Sequence, residues 1–158
     1  AALVGESGEV HAFDIQREAL ASAEKQLKEQ GLFDHCSLHQ VGHEHLAETL
    51  PPETQGRAQA IVFNLGYLPG GDKSIITTTS TTLKALRAAL DWLAPGGILT
   101  VTAYRGHPGG KEEAREVEHL LLELKPGEFR TSREQPATGD HSPIAFIVRR
   151  REASESPT

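Results

Sequence analysis

Short apolar runs alternate with longer segments whose apolar residues recur every three or four positions, and this alternation narrows the possible folds most. Residues 8–14 (Gly8-Glu9-Val10-His11-Ala12-Phe13-Asp14) read as a strand opened by a glycine and closed by an acid. Residues 17–30 carry Ala19, Leu20, Ala23 and Leu27 at helical spacing, and Gly31 stands where glycine favours a helix end. Residues 36–41 predict a second strand, and residues 44–50 a short helix stopped by Pro51-Pro52. A third strand falls at 58–64. Its Ile61-Val62-Phe63 run is apolar on both faces, as for a strand buried between two helix layers. The longest helix is predicted over 77–93, with Leu83, Leu86, Leu90 and Leu93 as its core stripe. Pro95-Gly96-Gly97 then breaks the pattern before a strand at 98–103, a helix at 111–124 and strand-like stretches at 129–135 and 144–150.

Strands alternating with helices imply an α/β, doubly wound, mostly parallel sheet with right-handed crossovers. The last two strands lack a helix between them, so an antiparallel C-terminal edge hairpin is expected. The chain has 158 residues, which suits one domain over 1–151 and a polar tail over 152–158. No apolar run approaches the roughly 18 residues that a membrane helix needs. The N-terminus has neither an initiator Met nor a basic segment of the signal-peptide kind. The single cysteine, Cys36, rules out an internal disulfide framework and suits a reducing, cytoplasmic setting. With 22 acidic against 16 basic side chains, any contact with nucleic acid must be local rather than a general basic coat.

In open α/β sheets, ligands bind at the carboxyl ends of the strands. Those ends carry Asp14, Gly42-His43-Glu44, Asn64 and Ala103-Tyr104. An acid in the place of Asp14 accepts hydrogen bonds from ribose hydroxyls in nucleotide-binding folds, with Gln16 close by; capping the next helix is its plainer use. Such an acid follows a glycine-rich phosphate turn by about 20 residues, a distance that runs off the front of this chain. The segment Asn64-Leu65-Gly66-Tyr67-Leu68-Pro69-Gly70-Gly71-Asp72-Lys73 is the most specific feature. It resembles the Asn/Asp-Pro-Pro-Tyr motif of amine methyltransferases, although a glycine-rich turn between strand and helix would look similar.

Asp14-Ile15-Gln16, Gly42-His43-Glu44, the 64–73 segment with Ser80-Thr81-Thr82, and Tyr104-Arg105-Gly106-His107-Pro108-Gly109-Gly110-Lys111-Glu112-Glu113 together resemble one family. It is the small class I methyltransferase family labelled "putative rRNA methylase", whose members act as tRNA 5-aminomethyl-2-thiouridine methyltransferases on the wobble uridine. The resemblance covers nearly the whole chain, in order. It implies a Rossmann-like methyltransferase sheet, S-adenosylmethionine as methyl donor and the tRNA anticodon loop as substrate. It further implies that Asp14 binds the ribose, Gln16 lies near the adenosine and His43-Glu44 flank the adenine. Asn64 with the Leu65 backbone would face the methyl group and the amine. Tyr67 would stack on the uracil, its alternative being to pack on its own turn. Asp72 and His107 are candidates to take a proton from the aminomethyl group, His107 alternatively shaping its loop. Lys73, Arg105 and Lys111 would meet tRNA phosphates, whereas Arg149-Arg150-Arg151 fits a solvated strand end. Family members open with a strand and a glycine-rich turn that this chain lacks, so weak or absent donor binding by these 158 residues is expected.

Three rivals remain at this level. One is a methyltransferase acting on rRNA or a small amine; another is an inactive fragment that mediates association. The third is zinc binding by His35, Cys36, His39, His43 and His45, whose spacing matches no closed structural site; no metal is expected. The oligomeric state stays open, a homodimer included.

Overall fold

Alternating apolar residues on three strands build one face of the main sheet. The computed structural model describes residues 1–5, 7–66, 76–135, 139 and 142–152. The strands are β1 (Val10–Phe13), β2 (Cys36–His39), β3 (Ala58–Leu65), β4 (Leu93–Ala103), β5 (Phe129–Glu134) and β6 (Ile144–Arg150). The helices are α1 (Arg17–Glu29), α2 (Leu46–Thr49), α3 (Thr79–Trp92) and α4 (Gly110–Leu122), with 3-10 turns at Phe33–His35, His43–His45 and Pro52–Thr54. β1 and β2 pair in parallel as a two-stranded sheet, and the second sheet runs β3-β4-β6-β5. β3 and β4 are parallel, whereas β6 is antiparallel to both β4 and β5. The expected antiparallel edge is therefore present. β1 and β3 are not paired with each other, which leaves these two sheets separate.

Register explains the core. Ile61, Leu99 and Val148 align across β3, β4 and β6, as do Phe63, Val101 and Phe146, and then Leu65, Ala103 and Ile144. Side chains in register share a face, and α3 and α4 cover this one with Ala85, Leu86, Ala89, Leu90, Ala114, Val117 and Leu121. The opposite face carries Val62, Thr100, Ile147 and Ser132 in one row. Here Val62 is 75% exposed, so β3 is buried on one face and not on two as its apolar run suggested. An apolar run alone does not report which of its faces a helix will cover.

The elements otherwise follow local chemistry. Gly31 takes φ +66, which lets Leu32 N–H return to the Leu27 carbonyl and close α1. Thr78 caps α3, its hydroxyl accepting from Thr81 N–H. The α3 stripe is carried by Thr82, Ala85, Leu86, Ala89 and Leu90 rather than by leucines alone; Leu83 is only partly buried and Leu93 already belongs to β4. β4 also starts earlier than expected, because Pro95-Gly96-Gly97 forms an irregularity within it. Between Ala58 and Ala60 of β3, the paired residue advances from Leu93 to Ile98. No helix among the described residues is long and apolar enough to cross a membrane.

Candidate active site

The carboxyl ends of β1, β2, β3 and β4 bring the motif segments into play. Asp14 directly follows β1: its N–H joins the His39 carbonyl, and its Oδ1 accepts from Gln16 N–H at 2.8 Å. Gln16 is the residue at the helix cap, and its side chain is buried. Asp14 thus orders the entry to α1 without reaching the first free N–H groups inside the helix.

His43 and Glu44 lie in the 3-10 turn after β2. The His43 ring stands 5.7 Å from the Phe63 ring, tilted by 59°. Burial lowers the His43 pKa below its usual value, outweighing the neighbouring Glu44, Glu113 and Asp14, which raise it. This imidazole is therefore held neutral, and the same balance shows that Asp14, His43, Glu44 and Glu113 share one electrostatic neighbourhood.

At the end of β3, Asn64 is exposed and Leu65 is buried. The Leu65 carbonyl accepts from Tyr104 N–H, and the Gly66 carbonyl accepts from Thr77 N–H. Gly66 takes φ +147, and a side-chain carbon added there would stand 3.5 Å from Tyr104 Cβ and 3.8 Å from His107 Cδ2. Glycine is required by that backbone angle. Tyr67, Asp72 and Lys73 lie outside the described residues.

The loop after β4 carries the remaining expected residues. His107 is buried, and its Nδ1 donates to the Pro108 carbonyl at 3.0 Å. Gly110 packs directly on this ring, where any side chain would collide with it. These contacts match the loop-shaping use of His107. Arg105 donates from Nε to the Ser142 carbonyl and from Nη2 to the Gly139 carbonyl, both at 2.8 Å, which ties the loop to the β5–β6 connection. Arg105, Gly106, His107, Gly109, Lys111 and Glu112 line an open cleft of about 490 Å³. Tyr104, 44% exposed, flanks the same strand end.

Sequence reasoning missed Glu113. Its carboxyl group is 2% exposed and accepts from the hydroxyls of Thr82 at 2.6 Å and Thr77 at 2.9 Å. A signal was present: Glu113 shares the stripe of Val117, Leu120 and Leu121 on α4, where an acid is out of place unless something binds it. The histidine-rich stretch, by contrast, disperses. Cys36 Sγ donates to the Leu32 carbonyl, His39 stacks with His11 and Phe13, and His45 meets Glu48. Among the described residues no group of three or more His, Cys, Asp or Glu is placed to hold a metal ion.

Known proteins with this arrangement are informative. The profile of the family described as "Putative rRNA methylase" matches residues 10–150. A chloroplastic tRNA (mnm(5)s(2)U34)-methyltransferase of Arabidopsis thaliana is 38% identical over 152 residues, covering 94% of this chain and 55% of that protein. The chain thus spans about half the length of that curated relative. The crystal structure described as a putative rRNA-methylase from Clostridium thermocellum superposes with a TM-score of 0.86 at 36% identity, covering 94% of this chain and 78% of that one. A putative methyltransferase from Streptococcus mutans, solved in complex with SAH, gives a TM-score of 0.78 at 29% identity, over 90% of this chain and 76% of that one. The alternating α/β architecture with its antiparallel edge agrees with these relatives, and the chain belongs to the family described as "Putative rRNA methylase".

Proposed function

We propose that this chain carries the catalytic edge of an S-adenosylmethionine-dependent methyltransferase that acts on the aminomethyl nitrogen of a modified wobble uridine in tRNA. What supports the reading is that Asp14, His43-Glu44 and Asn64-Leu65 each stand at or just after the carboxyl end of a strand, in a fold whose Arabidopsis relative bears that activity in its name. The donor side fits a nucleoside. A carboxyl group directly follows β1, and an imidazole held neutral by burial beside Phe63 lies in the turn after β2. Asp14 would take the ribose hydroxyls, with Gln16 beside the adenosine and His43 and Glu44 against the adenine.

When bound, S-adenosylmethionine supplies a methyl group on a positively charged sulfur. The protein's part is then to position and desolvate a neutral amine, since an in-line displacement needs alignment more than acid or base power. Asn64, exposed near the end of β3 and followed by the hydrogen-bonded Leu65 and Gly66 carbonyls, would orient the amine lone pair. Tyr67 as a stacking partner, Asp72 as a proton acceptor and Lys73 as a phosphate contact complete the proposal. In His107, the Nδ1–H donated to Pro108 makes Nε2 the ring nitrogen through which it would accept a proton. On the RNA side, Lys111 stands exposed in the first turn of α4, where the helix dipole also favours phosphate. Arg105 would contribute mainly by holding the cleft open, as its guanidinium already serves two backbone carbonyls.

The test is methyl transfer with labelled donor in excess and three acceptors offered in parallel: tRNA carrying 5-aminomethyl-2-thiouridine, ribosomal RNA and a small primary amine. Label confined to the wobble nucleoside is expected. Label in rRNA or the amine, with the tRNA unmodified, would replace the acceptor assignment.

A further inference from the structure

We infer that Glu113 is a positioning residue for the end of β3, acting through Thr77 on the Gly66 carbonyl, two residues beyond Asn64. Its place on α4 is unusual for an acid. Three helical stripe positions beyond it, Val117, Leu120 and Leu121, are buried apolar side chains. A carboxyl group there is stable only if hydrogen bonds replace the water it loses. Two threonine hydroxyls do so, and they come from different places in the chain. Thr82 sits inside α3, at 0% exposure, and Thr77 lies two residues before that helix begins.

Thr77 is the link to the site. Its side chain donates to Glu113 while its N–H donates to the Gly66 carbonyl at 3.1 Å. On the other side, Tyr104 N–H donates to the Leu65 carbonyl at 3.3 Å. Two successive carbonyls at the strand end are therefore held, that of Leu65 by the loop after β4 and that of Gly66 by Thr77. Gly66 packs against Tyr104 and His107 in a backbone conformation, φ +147, that other residues rarely adopt. Removing the Glu113 carboxyl would release the hold on Gly66 and loosen the strand end that carries Asn64.

The consequence for catalysis rests on the methyl-transfer reading of Asn64, but the anchoring does not. Two measurements separate them. In amide hydrogen exchange, Glu113→Gln and Thr77→Val are expected to speed exchange at position 77 roughly 10-fold or more, the loss expected when a buried polar partner is removed. The amide of Val101, in the core but outside this network, should be unchanged. Thr77→Val leaves the Thr82–Glu113 bond intact, so it serves even if changes at Glu113 prevent folding. In the transfer assay the same variants should lower kcat while donor affinity stays within about twofold, as expected for lost alignment rather than lost binding. Unchanged exchange at position 77, or equal acceleration at Val101, would overturn the positioning role. Transfer by the unsubstituted protein only to ribosomal RNA or to the small amine would overturn the functional reading, leaving the exchange result to decide the anchoring.

Discussion

Burial beside Phe63 keeps the His43 imidazole neutral although Glu44, Glu113 and Asp14 all favour its protonated form. The sign of the stability effect follows. A histidine whose folded pKa lies below the unfolded value of 6.5 binds fewer protons folded than unfolded between those two values. Stability should therefore be full above 6.5, decline as pH falls through that value and level off below the folded pKa. His39, also lowered by burial and by His11, adds a slope of the same sign. Thermal unfolding followed across this range should show a shallower decline for His43→Gln than for the unsubstituted chain; an unaltered slope would remove His43 from the account. At Asp14, replacement by alanine should weaken donor binding about 10-fold or more, as loss of hydrogen bonds to a charged acceptor does. Calorimetric titration of both proteins checks this.

Whether an element was legible in the sequence depended on how locally its determinants act. α1 and α4 follow from apolar spacing and a closing glycine or an opening Gly-Gly pair, and the edge hairpin follows from two strand-like runs without a helix between them. Two features were not local. Pro95-Gly96-Gly97 reads as a break, yet β4 runs through it because Ala58 pairs with Leu93 across the irregularity. Val62 reads as core, yet only the Phe63 and Leu65 face of β3 meets helices. This asymmetry predicts opposite costs for neighbouring changes in chemistry. Leu86→Ala, at 0% exposure beneath α3, should cost about 2–5 kcal/mol of unfolding free energy. Val62→Ser should stay within roughly 0.5 kcal/mol, as exposed substitutions do. Urea denaturation of the two variants distinguishes them, and a large loss at Val62 would mean that the open face is covered in solution. Within the candidate site, strand ends and their acids were readable because position in an α/β sheet follows from element order. Glu113 was not, because its partners Thr77 and Thr82 are brought to it only by packing α3 against α4.

Across the whole molecule, the two sheets each contribute half of the proposed donor site. Asp14 and His43 follow the strands of the β1-β2 pair, and Asn64 and Leu65 belong to the β3-β4-β6-β5 sheet. β1 and β3 are not bonded to each other, so the relative placement of these halves rests on side chains such as His43 against Phe63. A site split in this way should bind its ligand more weakly than one built on a continuous sheet, because binding must also fix the two parts. Affinity for S-adenosylmethionine weaker than micromolar is therefore expected for these 158 residues. The most direct test is to titrate S-adenosylmethionine into the isotopically labelled chain and follow its backbone amides by NMR. Amides of Asp14, His43, Leu65 and Gly66 should move together along one binding curve, and Asp14→Ala should weaken all four alike. Shifts on only one sheet, or none at saturating donor, would contradict a donor site shared across this edge.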